Sequence, residues 1–201
     1  QDHDGEYTHK GEWKHAWDFV IKDEQGNTFK NSGTELTDYY CYKKPVLAVA
    51  DGVVEEILDD IKDNKVGDMD LDNNWGNTII IKHAPYLYSK LSHFLKGSFK
   101  VKIGDSVKKG QLLGYCGNSG RSPEPHIHFQ LQSNPYIGSK TLEYPIAYYL
   151  NDEAKGIQLN SFEYPKKEDV LFNLEMTPLL RDAYNWIPGN ELNFKYKDEE
   201  G

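Results

Sequence analysis

Apolar residues in this chain come in short runs cut off by turn signals, and that spacing constrains the fold more than any other feature. The runs cover residues 45–50, 52–58, 77–82, 98–103, 111–116 and 127–132. Each is short for a helix and rich in Val, Ile or aromatic residues, so strands are predicted. Asp51-Gly52 between the first two runs reads as a hairpin turn of the kind that needs positive φ. Gly104-Asp105 and Lys109-Gly110 mark further turns. A mostly β domain of closely connected antiparallel strands is predicted over residues 9–135, with a sandwich-like core.

The last run is preceded by Pro125-His126-Ile127-His128-Phe129-Gln130-Leu131. Residues i and i+2 of a strand face the same side, so His126 and His128 project together. Neutral imidazole is the commonest protein ligand for zinc and also serves as acid, base or hydrogen-bond donor near neutral pH. The pair is therefore a candidate metal site, or a metal ligand beside a catalytic neighbour. A pair of half-exposed strand histidines is the competing reading.

Composition removes several classes of function. Lys and Arg total 23 against 32 Asp and Glu, a net charge of −9 that argues against nucleic acid and anionic surfaces. No apolar stretch approaches the ~20 residues needed to span a bilayer. The chain starts at Gln1, as expected if an N-terminal segment has been removed by a signal peptidase or by choice of fragment. Cys41 and Cys116 allow one disulfide or a buried free pair, and the absence of CxxC excludes a four-cysteine zinc site.

Two other stretches carry less. Asp68, Asp70 and Asp72 imitate the start of a calcium loop, but Asn73 and Ile79 stand where the invariant Gly and bidentate Glu belong. Residues 59–75 are read as a solvated loop. After residue 140 the texture changes. Thr177-Pro178 reads as a helix start, 187–190 as a turn and 192–196 as a last strand, with a charged tail at 197–201. The division is a domain at 1–140 and a small mixed extension at 141–201 without a catalytic motif.

A catalytic zinc typically takes three protein ligands. Seven histidines are present, and Asp18 sits among apolar neighbours in Ala16-Trp17-Asp18-Phe19-Val20, where a buried carboxylate needs a cation. Without HExxH, the usual helix-borne peptidase site is excluded.

Six collinear blocks then resemble a known family. They are Ala16-Trp17-Asp18-Phe19; residues 45–54; Trp75-Gly76-Asn77 through His83; Leu91-Ser92-His93-Phe94; residues 101–111; and Gly117-Asn118-Ser119-Gly120-Arg121-Ser122 leading to the histidine pair. Together they resemble the lysostaphin-like, LytM-type zinc metallopeptidases, which cut peptide cross-links of bacterial cell walls. The resemblance covers residues 9–132. It implies that His128 and Asp18 ligate zinc, that His93 and His126 are the catalytic histidines, and that Asn118 and Arg121 bind substrate. Most members carry the remaining ligand four residues before the Asp, where this chain has Lys14. A branch with a Tyr-Ala-x-Asp-Phe block places it about nine residues before, which selects His9, with His15 and then His3 as alternatives. The resemblance makes His83 structural and leaves Cys41 and Cys116 close enough to pair.

The implied activity is hydrolysis of peptidoglycan peptide bonds by a zinc-activated water, with the two histidines orienting it and stabilising developing charge. Stem peptides or cross-bridges are the expected partners, the cell envelope or exterior the expected location, and a monomer the expected state. The alternative is an inactive module of the same fold that binds peptidoglycan or activates amidases. Such modules lack several site residues, whereas each of the five positions has a candidate here.

Overall fold

In the computed structural model, which describes residues 11–153, 156–166 and 169–172, the chain is nearly all β. The strands of the first unit are β1 (Trp17–Phe19), β2 (Pro45–Leu47), β3 (Gly52–Leu58), β4 (Asn77–Ala84), β5 (Leu87–Phe94), β6 (Ser106–Val107), β7 (Leu112–Tyr115), β8 (Ile127–Gln132) and β9 (Thr141–Leu142). Among the described residues the only helical element is a single 3-10 turn at Leu36–Asp38. Seven strands form an antiparallel sheet in the order β1-β8-β5-β4-β3-β6, with β9 beside β8. β2 and β7 form a second, two-stranded sheet. The pairing of β9 to β8 continues the first unit past residue 140, and that unit runs to Pro145.

Period-two alternation gives the large sheet two different faces. Val54, Ile79, Ile81 and Leu91 point to one side and pack with Val46 and Leu113 of the small sheet around Phe94. Burying each such side chain contributes about 1.5–3 kcal/mol. The opposite face carries Asp18, His128, Ser92 and Thr78, which are neighbours in register across β1, β8, β5 and β4. β8 reverses the usual rule: His128, Gln130 and Gln132 are buried, while Ile127, Phe129 and Leu131 are only half-buried.

Three local expectations are corrected. Asp51-Gly52 does not close a hairpin, because β2 pairs with β7 while β3 pairs with β4 and β6. Gly52 lies outside the positive-φ set; a Cβ there would strike the Lys82 carbonyl, so glycine is needed for close strand approach. Residues 98–103 form no strand, and the pairing in that region comes from β6. β5 was not among the predicted strands because its sequence, Leu-Tyr-Ser-Lys-Leu-Ser-His-Phe, has no clean alternation. It is central, paired on both sides, and buried from Tyr88 to Phe94.

Cys41 and Cys116 are free buried thiols within hydrogen-bond reach of each other, and Cys41 donates to the Pro125 carbonyl at 2.9 Å. In the loop after β3, Asp70 uses both carboxylate oxygens on Asp72 and Asn73, a local turn. The second unit contains β10 (Ile146–Glu153), β11 (Gly156–Glu163) and β12 (Leu171–Phe172), antiparallel in the order β11-β10-β12. The expected helix from Thr177, the turn at 187–190, the strand at 192–196 and the tail lie outside the described residues.

Lys90 of β5 is fully buried, its ammonium has no hydrogen-bond partner, and it lies 2.8 Å from the centre of the Trp75 ring. The ring face supplies part of what water would. Burial nonetheless pushes the amine well below the ordinary lysine range, opposed by the charge of Glu12. A base whose folded pKa is depressed costs stability below its unfolded value, and the cost fades as pH rises toward about 10.4. Lys90→Met is therefore expected to stabilise the protein at pH 7 by at least about 1 kcal/mol. Thermal unfolding at pH 7 and pH 10 checks this: the gain should shrink at the higher pH.

Candidate active site

The site grows from the register of β1 on β8, which sets Asp18 directly opposite His128. The Asp18 Oδ1 oxygen lies 3.1 Å from His128 Nδ1 and 3.7 Å from His126 Nε2. His126 stands one residue ahead of β8 on the same face as His128. His93 arrives differently. Opposite the Asn77–Thr78 step, β5 has one residue too many, and His93 is the extra one, held at φ 70°. A bulge re-aims a side chain, and here it turns His93 onto the site face, 4.6 Å from the His126 ring and 6.0 Å from the His128 ring. A left-handed non-glycine residue costs of order 1 kcal/mol. The Gly117 N–H on the His93 carbonyl helps hold it there.

Each imidazole has one nitrogen committed to an acceptor. His93 Nδ1 donates to the Ser119 carbonyl at 2.7 Å. His126 Nδ1 donates to the Glu124 carbonyl at 2.9 Å, with Ser122 Oγ at 3.1 Å. For His128 the assignment follows a chain along β8. Gln132 Nε2 donates to the Asn134 and Tyr136 carbonyls, so its Oε1 accepts from Gln130 Nε2, and Gln130 Oε1 then accepts from His128 Nε2 at 2.9 Å. His128 Nδ1 is hydrogen-bonded to Asp18 Oδ1 at 3.1 Å, and His126 Nε2 lies 3.7 Å from the same oxygen. Burial, followed by the neighbouring imidazoles, pushes the His93 pKa well below the usual histidine range, against the pull of Asp18 and the Ser119 carbonyl. All three rings are thus fixed in place by an acceptor at one nitrogen.

The loop between β7 and β8 fixes two of these acceptors. Gly120 and Gly76 both have positive φ and meet so closely that a methyl on either would land on the other segment. Ser122 Oγ donates to Asn118 Oδ1, and the Asn118 amide donates to the Asn64 carbonyl. Trp13 and Trp75 stack at 4.6 Å and set their edges toward His128 at 6.1 and 5.3 Å.

The sequence-predicted residues divide accordingly. Asp18, His93, His126 and His128 come together. Asn118 is fully buried with its amide used inside the loop, whereas Arg121 is exposed over the Trp13 ring at 5.7 Å. The His15 backbone donates to Thr141, and its ring makes no ion pair with Asp18. His9 and His3 lie outside the described residues, and among the described residues no group of three or more metal-binding side chains is assembled. The donor set nonetheless fits zinc: an imidazole Nδ1 directly against a carboxylate, its other nitrogen held by Gln130, is the pattern of a ligating histidine. His83 bridges the Asp51 carbonyl and Ser89 at the far end of β4 and takes no part.

The model of Peptidase family M23 matches residues 31–138, more than half of the chain. The chain belongs to peptidase family M23. The match takes in His93, His126, His128 and Arg121, while Asp18 lies ahead of it. The M23 chain is 31% identical over 121 residues to ShyC of Vibrio cholerae serotype O1, a peptidoglycan DD-endopeptidase, covering 59% of this chain and 25% of ShyC. It is 46% identical over 41 residues to lysostaphin of Staphylococcus simulans, covering 20% of this chain and 8% of lysostaphin. The chain therefore spans a quarter or less of these relatives' length. The catalytic domain of EnpA, a prophage-encoded M23 protein of Enterococcus faecalis, superposes with a TM-score of 0.48 at 20% identity, over 71% of this chain and 85% of that one.

Sequence reasoning missed Gln130, Ser122 and the Ser119 carbonyl. Gln130 had a signal, since it shares the strand face of His128 two residues on. The other two act through loop geometry, which leaves no periodic trace. Gly120→Ala is expected to lower stability by more than about 1 kcal/mol, since it adds both a clash and an unfavourable φ. A thermal unfolding scan that matches wild type would contradict the close packing of the two loops.

Proposed function

We propose that this M23 chain is a zinc-dependent endopeptidase that hydrolyses peptide cross-links of bacterial peptidoglycan in the cell envelope or outside the cell. The observation that carries the reading is the convergence of His126 and His128 on Asp18 with the His93 ring beside them, one nitrogen of each ring being tied to a fixed acceptor. Family membership and the relatives' wall-directed activities support the substrate class.

Asp18 and His128 would hold the zinc together with a third ligand, for which His9 is the proposed residue. When bound, zinc supplies Lewis-acid polarisation and makes a water nucleophilic near neutral pH. The protein's own groups do the rest. His126, with Nδ1–H held by the Glu124 carbonyl, presents Nε2 as a base able to take a proton from the attacking water. His93, buried and with its pKa held well below the usual histidine range, packs its ring 4.6 Å from that of His126. It can orient the water or pass a proton to the departing amine. Neither ring has to reorient, because its hydrogen bonds are already made, and this preorganisation is where the catalytic advantage lies.

Digestion of purified peptidoglycan with and without a zinc chelator, with products identified by mass spectrometry, tests the activity. Fragments with new peptide ends should appear only without chelator. No release from several wall types by a zinc-loaded protein would favour a binding module instead.

The ligand roles have their own outcomes. His126→Ala should retain zinc by elemental analysis while losing turnover by at least about a hundredfold. Asp18→Ala should lose the metal. A zinc-free His126→Ala protein would mean the two strand histidines have exchanged roles. Gln130→Leu removes the acceptor that fixes His128 and should weaken zinc affinity about 10–100-fold in a chelator competition.

A further inference from the structure

We infer that Arg121, laid on Trp13 at the edge of the site, is a subsite for a free carboxylate on the peptide substrate, making the chain selective for anionic peptides over neutral ones. This rests on the reading of the site as one that takes a peptide.

Position is the first support. Arg121 is rooted beside the site: its N–H donates to the Asn74 carbonyl at 2.9 Å, and the next residue, Ser122, contacts His126 Nδ1. Its guanidinium carbon lies 5.7 Å from the centre of the Trp13 ring, and that ring lies 6.1 Å from His128. A carboxylate carried on a residue near the scissile bond would therefore meet it.

Charge is the second support. The chain has 32 acidic residues and a net charge of −9, so an arginine has many candidate partners. Among the described residues, no carboxylate lies within ion-pair distance of Arg121, and its side chain is exposed. An acidic protein repels an anionic substrate unless a local cation reverses the field. Lys90, on the other indole of the Trp13–Trp75 stack, is wholly buried and out of reach. Among the described residues, that leaves Arg121 as the exposed cation over the Trp13–Trp75 pair. A guanidinium over an aromatic ring, exposed and without a carboxylate partner among the described residues, suits bidentate capture of a carboxylate. A bridge made only of glycine offers no such group, whereas a stem peptide with a free carboxyl does.

The test uses two synthetic cross-linked stem peptides that differ only in a carboxylate or a carboxamide beside the scissile bond. Wild-type kcat/KM should favour the acid about 10–100-fold, chiefly through KM, as expected for a charge-assisted hydrogen bond. Arg121→Gln should bring the ratio close to one, and Arg121→Lys should restore part of it. Calorimetric binding of the same peptides to the zinc-loaded protein separates the two proposals. If neither peptide is cut, but wild type binds the acid at least tenfold tighter and Arg121→Gln does not, the subsite stands and the peptidase reading falls. If wild type cuts and binds both alike, or Arg121→Gln keeps the wild-type ratio, the carboxylate subsite is wrong.

Discussion

The site depends on where three imidazole protons are parked. Each ring has one nitrogen tied to a rigid acceptor: the Ser119 carbonyl, the Glu124 carbonyl and the Gln130 amide. The opposite nitrogens of His128 and His126 lie 3.1 and 3.7 Å from one oxygen of the Asp18 carboxylate, with the His93 ring packed beside them. In a buried setting such an arrangement is unfavourable unless a cation or a proton is shared among them. The geometry therefore creates a demand for positive charge, and the rest of the fold is arranged to maintain it.

That maintenance explains features that otherwise look wasteful. The polar face of β8 is buried more deeply than its apolar face, since Gln130 and Gln132 must relay the orientation of two loop carbonyls to His128. β5 spends backbone strain at His93 to bring a residue of the wrong parity onto the site face. The Gly76–Gly120 contact lets two loops close to within backbone distance, which sets the Ser119 carbonyl against His93. Fixing donors in advance avoids reorganisation during a reaction, and that is the property a hydrolytic site needs.

The aromatic wall belongs to the same design. Trp13 and Trp75 lie beside His128, with Lys90 sealed beneath Trp75 and Arg121 open over Trp13. The two cations have opposite fates because one is removed from water and the other is not. Burial opposes the charge on Lys90, while Arg121 is exposed.

The sequence by itself determined the β character and much of the histidine pairing. Short Val- and Ile-rich runs can bury a face only as strands, and a period of two puts His126 and His128 on one side. It also identified Asp18, because a carboxylate among apolar residues needs a cation. What it could not determine are contacts between segments distant in the chain. The bulge that aims His93 depends on how β5 registers against β4, and no local pattern encodes an extra residue. Ser119 acts through its main-chain carbonyl, which is independent of side-chain identity. Asn118 and Arg121 are three residues apart in one loop, yet one is locked inside it and the other faces outward. That difference arises only when the loop closes on Gly76 and Asn64, because burial is a property of the assembled structure rather than of the residue.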